Sequence, residues 1–196
     1  MDRFVRLSNN ERQRYFVQTA ERMGLGPQVI EKDFWVCWTL RELFALPDIG
    51  SMLIFKGGTS LSKAYQLIER FSEDVDVSMD RAGLGFGDEA SDPEAVISGK
   101  ERRRRIERLK EACRHKIDNE LRPTMIKTIA AALGDAQGWS LTVDEDDPDR
   151  QTLLYAYPSS LPEATGAYIR PAVKIELGAH YDKAIRGSFR LAPHPG

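Results

Sequence analysis

Apolar positions change their spacing several times along the chain, and each change predicts an element. Residues 8–23 (SNNERQRYFVQTAERM) read as an amphipathic helix capped by Ser8 or Asn9 and stopped by Gly24 and Gly26, with Tyr15, Phe16 and Thr19 turned to the core. A second helix starts at Pro27, a favoured first-turn residue, and runs to about Leu46. Its Ile30, Phe34, Trp38 and Phe44 are packing residues and its tryptophans core, whereas Glu31, Lys32 and Asp33 fall on its polar side. The apolar run Met52 to Phe55 predicts a strand ending at Gly57-Gly58. After Thr59, a natural N-cap, Leu61, Ala64, Tyr65 and Ile68 recur at helical steps. Strand alternation then appears in Asp74-Val75-Asp76-Val77. The stretch from Asp80 to Pro93 has no period and predicts a mobile lid or a disordered connection. Glu94 to Leu133 returns to helical spacing, as two helices broken before Pro123. Trp139–Val143 and Thr152–Tyr157 are strand candidates joined by the acidic hairpin loop DEDDPDRQ, and Arg170–Leu177 is the last strand. That loop lacks the glycine and terminal glutamate of a calcium-binding EF-hand.

This order of elements predicts an α/β (α+β) fold, with a small mixed or antiparallel sheet of about five strands flanked by helices. At 196 residues and 41% apolar content, the chain suits one core. A single domain over residues 1–196 is expected: N-terminal helices 8–46, a catalytic core at 50–80 and 139–178, and a helical insert at 94–133. The net charge of −2 decides nothing about a nucleic-acid partner, and two cysteines form neither a disulfide framework nor a zinc site. A polar N-terminus without a signal-peptide apolar region, and no run of membrane-spanning length, lead to the expectation of a soluble, cytoplasmic protein without a membrane partner.

Candidate chemistry concentrates between Ile54 and Met79. Gly57 and Gly58 let the backbone approach a ligand closely, and the free N–H groups at the following helix start favour an anion such as a phosphate. Thr59, Lys63 and Ser72 join the two glycines as candidate nucleotide-binding residues; Ser72, two residues before Asp74, should face the same side of the strand. Asp74 and Asp76 also share a face, and two carboxylates side by side call for a cation, with hard oxygen ligands suiting Mg²⁺ or Mn²⁺. No Gly-Lys-Ser/Thr follows the glycines, so this is not a Walker A loop. In the last strand Lys174 and Glu176 share one face. If that strand lies beside Asp74–Asp76, Glu176 becomes a third metal-binding carboxylate and Lys174 a neighbouring cation; the structural alternative is a simple Lys–Glu arrangement across strands. His180 and Tyr181 fall in the loop beyond it. A phosphate cradle followed by an aspartate pair suits transfer of a phosphoryl or nucleotidyl group.

Between Lys100 and Lys116, nine Lys/Arg stand against three Glu. Four consecutive arginines, Arg102 to Arg105, point nearly all ways round a helix. The stretch is therefore either a solvated helix with ion pairs along it or an electrostatic platform for RNA.

The string FKGGTSLSKAYQLIERFSEDVDV (Phe55 to Val77) resembles the signature of the AbiEii/AbiGii toxin family of nucleotidyltransferases, within the DNA polymerase β-like superfamily. EKDFWVCWTLRELF (Glu31 to Phe44) and VKIEL (Val173 to Leu177) match it in order and spacing, making Lys32 and Asp33 motif positions. The resemblance implies a polymerase β-like nucleotidyltransferase fold and transfer of NMP from an NTP with release of pyrophosphate. In that scheme Asp74, Asp76 and Glu176 serve the metal and Lys174 contacts the nucleotide phosphates. It further implies a toxin of a toxin–antitoxin or phage-defence pair, a cognate antitoxin as partner, and tRNA, another RNA or a protein as acceptor. Members usually carry a helical C-terminal region that this sequence lacks after Gly196. Rival expectations are a nucleotidyltransferase acting on a small molecule, and a non-catalytic nucleotide-binding module.

Overall fold

A computed structural model of the chain describes residues 1–56, 74–93, 95, 97–162 and 170–179. Helix α1 (Asp2–Val5) leads into α2 (Asn9–Met23). Ser8 and Glu11 close a reciprocal capping box at the start of α2, and Gly24, at φ 66°, ends it in the left-handed region. The buried face of α2 is Arg12, Phe16 and Ala20. Thr19 is exposed, and Tyr15, 55% exposed, packs only its edge on Phe4, which corrects the expectation for both. The spacing of the two faces is equally helical; Arg12 wins the inner one because its guanidinium finds partners there.

Helix α3 (Pro27–Phe44) is the central helix, with Trp35 and Trp38 fully buried. Trp35 stacks on Tyr157 at 5.4 Å and 12° and meets Tyr155 edge-on, which fixes α3 to the strand carrying Tyr155. Glu31 and Lys32 are buried too, against the expectation of a polar side. The Glu31 carboxylate accepts from Ser159 Oγ (2.7 Å), Ser160 N (2.7 Å) and Ser160 Oγ (2.8 Å), and Lys32 Nζ donates to the Arg170 carbonyl at 3.3 Å. Arg12 lies over the Trp35 ring and donates to the carbonyls of Val5 and Pro158. Burial lowers the pKa of its guanidinium and the charge of Glu31 raises it. Hydrogen-bonded in this way, the charges escape the full cost of lone burial.

A 3-10 turn (Gly50–Met52) feeds the sheet; a Cβ on Gly50 would lie 2.2 Å from the Phe44 carbonyl oxygen, so glycine is required there. The strands are β1 (Leu53–Lys56), β2 (Asp74–Met79), β3 (Ser140–Val143), β4 (Thr152–Ala156) and β5 (Ala172–Ala179), in the order β1-β2-β5-β4-β3. Only β2 and β5 run parallel; the other neighbours are antiparallel, so the sheet is mixed, as expected. One face carries Leu53, Val75, Val77, Met79, Leu153, Tyr155, Val173, Ile175 and Leu177, all buried. Helices α3 and α4 (Gly99–Lys116) pack against it.

Helix α4 does not break before Pro123. It continues through a π turn (Ile117–Leu121) into α5 (Arg122–Leu133). The wider turn, with Arg122 N–H bonded back to the Ile117 carbonyl, accommodates the ring that an uninterrupted α ladder would reject. The connection before α4 is likewise tied down rather than free over its described residues. Arg81 pairs with Asp92 at 2.8 Å, while Arg102 and Arg105 donate to the carbonyls of Pro93 (3.1 Å) and Asp92 (2.8 Å).

Candidate functional site

The second face of the sheet is polar because β2 and β5 alternate with the opposite phase there. Register fixes the neighbours. Asp74 lies opposite Lys174 and Asp76 opposite Glu176 on the parallel pair. Lys56 lies opposite Asp76 on β1, and Thr152 opposite Glu176 on β4. The Asp144 amide, just beyond β3, donates to the Thr152 carbonyl at 2.9 Å. A row of polar residues therefore crosses four strands and ends just past β3: Lys56, Asp76, Glu176, Thr152, Asp144. The neighbouring row holds Asp74 and Lys174. The condition set for the last strand is met, since β5 lies beside β2 and Glu176 falls on the same face as the aspartates.

Close approach shapes the electrostatics. Burial holds the Asp76 carboxyl above the usual aspartate range, reinforced by the charge of Glu176, a hydrogen bond with it, and the charge of Asp74. Lys174 Nζ stands 3.1 Å from Glu176 Oε1 and 3.8 Å from Asp144 Oδ2. Its hydrogen bond with Glu176 raises the ammonium pKa against a smaller effect of burial, helped by the charges of Glu176, Asp144 and Asp74.

The donor chemistry suits a divalent cation: hard carboxylate oxygens, crowded enough that Asp76 resists ionising alone. Among the described residues, no three acidic, histidine or cysteine side chains converge as a finished metal cluster. Glu176 instead gives its oxygen to Lys174. Gly57, Gly58, Thr59, Lys63 and Ser72, the candidate nucleotide cradle, lie outside the described residues, as do His180 and Tyr181. Cys113 is inert: burial pushes its thiol up to about 12.

Three residues of the polar row escape a reading of the sequence. Lys56 looks like the end of an apolar run, and Thr152 like an ordinary strand residue. Asp144 looks like one of several acids in a hairpin loop, and the hairpin itself forms as expected. Only the register across β3, β4 and β5 brings Thr152 beside Glu176 and Asp144 toward Lys174.

The basic helix resolves into two sets. Arg102 and Arg105 hold the preceding segment, Arg104 and Arg105 pair with Glu101, Lys110 with Asp149, and Lys116 with Glu120. Arg103 and Arg108 stay exposed, without an ion pair among the described residues. No helix among those residues is long and apolar enough to cross a membrane.

A family model described as "Nucleotidyl transferase AbiEii toxin, Type IV TA system" matches residues 38–190, and so takes in every strand of the sheet. Comparisons with curated proteins and with solved structures gave no match.

Proposed function

The chain belongs to the AbiEii family of nucleotidyl transferase toxins of type IV toxin–antitoxin systems, and from that premise we propose that its polar sheet face transfers a nucleotidyl group from an NTP to an acceptor hydroxyl. The observation that carries this reading is the in-register pairing of Asp74 with Lys174 and Asp76 with Glu176 on parallel strands. It sets Asp74 and Asp76 of β2 beside Lys174 and Glu176 of β5, segments far apart in the chain.

Asp74 and Asp76 would hold Mg²⁺ or Mn²⁺, with Glu176 as a third ligand or as the acceptor of the attacking hydroxyl's proton. Such an ion, when bound, supplies positive charge to the triphosphate oxygens. Lys174 neutralises charge growing on the phosphates as the bond to the α-phosphorus forms and pyrophosphate departs. Gly57, Gly58 and Thr59 bind the β and γ phosphates through backbone amides and the threonine hydroxyl, with Lys63 and Ser72 alongside. Positioning and electrostatics carry most of the rate. RNA is the acceptor class favoured here, approached through the exposed arginines of α4, and a separately encoded antitoxin is the partner that the type IV system implies.

Incubation of the protein with each labelled NTP, Mg²⁺ and total RNA or protein extract tests the reading. The expected result is label on RNA, lost with a chelator. Label on a small molecule, or none with any acceptor, overturns the acceptor assignment or the activity respectively.

A further inference from the structure

Asp144 does more than close the hairpin it sits on. Loop closure is largely the task of Asp147, which accepts from Gln151 N (2.8 Å), Asp149 N (3.0 Å) and Thr152 Oγ1 (2.8 Å). Asp144 adds one turn contact, in which Oδ1 accepts from Asp146 N at 3.1 Å. An asparagine would serve that contact as well. The second oxygen, Oδ2, instead faces the Lys174 ammonium at 3.8 Å, although Asp144 is only 7% exposed. A buried carboxylate with one oxygen on the turn and the other toward a lysine two strands away contributes charge that the turn does not need.

Lys174 thus has two carboxylates close by, Glu176 at 3.1 Å and Asp144 at 3.8 Å, with Asp74 in register beside it on β2. Glu176, two residues along its own strand, takes the hydrogen bond. Asp144 offers a longer ion pair from across β4. An ammonium on Glu176 Oε1 offsets part of the charge that a second cation would draw on, so Glu176 becomes a stronger metal ligand as Lys174 moves off it.

We propose that Asp144 is a positioning residue that draws the Lys174 ammonium from Glu176 toward the β3–β4 hairpin, which frees Glu176 for a divalent cation and leaves Lys174 facing the triphosphate. This rests on the reading of the polar face as a nucleotidyltransferase site. Asp144 itself need touch neither metal nor nucleotide.

The test is Mn²⁺ binding, measured by calorimetry without nucleotide, to the full chain and to Asp144→Asn, Lys174→Gln and the double variant. Asp144→Asn keeps the oxygen of the turn, and Asp144→Ser, which keeps a hydroxyl there, repeats the measurement. Loss of Asp144 should weaken Mn²⁺ binding about fivefold where Lys174 is present, the scale of one partly screened ion pair. In the Lys174→Gln background the same change should matter less than about twofold. Asp144→Glu should restore most of the loss. An equal loss in both backgrounds would mean that Asp144 acts only through its general field, and an unchanged affinity would mean no role; either sinks the proposal. Parent protein that binds Mn²⁺ only while Asp76 is present upholds the site even if the coupling is missing. Parent protein that binds none removes both the site and the proposal.

Discussion

Asp76 carries the sharpest consequence at the scale of single residues. Its folded-state pKa is raised, by burial first and then by Glu176 and Asp74, so its charged form costs the folded chain stability at neutral pH. Asp76→Asn should therefore raise the urea midpoint in chelator at pH 7.5, and the gain should vanish below the ordinary aspartate pKa, where the parent carboxyl is protonated in both states. The same variant should lose nucleotidyl transfer by roughly 10²-fold or more, as expected for removing a principal electrostatic contact. Near-parental transfer would refute the metal role of Asp76. Asp147 has the opposite sign: burial pushes its pKa up, but hydrogen bonds from Gln151, Thr152 and Asp149 outweigh this and hold it low. Its stabilisation is present above the unfolded pKa and is lost as pH falls through the folded one. Asp147→Ala should cost about 2 kcal/mol at pH 7 by denaturant unfolding, and progressively less on acidification. The aspartate and valine alternation of β2 was legible in the sequence because a strand puts every second residue on one face. The buried partnership of Glu31 was not, because its partners Ser159 and Ser160 lie far along the chain.

Elements were legible where one period ran without interruption, as in α2, α3 and the two strands of the acidic hairpin. They were misread where a local signal had a compensating neighbour. Pro123 signals a break, but the π turn before it absorbs the ring, and the helix runs on. The segment after β2 looks loose, but Arg81, Arg102 and Arg105 pin it at Asp92 and Pro93. This sorts the cations of α4 into those that hold structure and those that face outward. If α4 meets RNA, Arg103→Ala with Arg108→Ala should weaken RNA binding and reduce the slope of log affinity on log salt by up to about two. Fold stability should change little. Unaltered binding would move the RNA surface elsewhere. Gly50→Ala tests the turn into β1: a methyl group against the Phe44 carbonyl should cost about 1–3 kcal/mol, read as a lower thermal midpoint.

Across the whole molecule, the two faces of the sheet divide the labour. One is apolar, covered by α3 and α4, and the other gathers the charges. The α/β class and the count of about five strands followed from the sequence, since each strand announced itself locally. Their lateral order did not, and the order is what creates the polar row. The parallel pairing of β2 with β5 also has a consequence in time. Asp76 and Glu176 become neighbours only when segments 100 residues apart close a loop, a contact whose entropy must be met before it is rewarded. At about 5–20 residues per second, a ribosome that has just added Asp76 needs roughly 5–20 s more to reach Glu176. Throughout that interval the growing chain has Asp74 and Asp76 but neither Glu176 nor Lys174. On the proposed reading, an incomplete product of translation lacks part of the polar row. A nascent chain stalled before β5 should therefore neither bind Mn²⁺ nor transfer nucleotide, which ribosome-stalled chains in a binding and transfer assay would check.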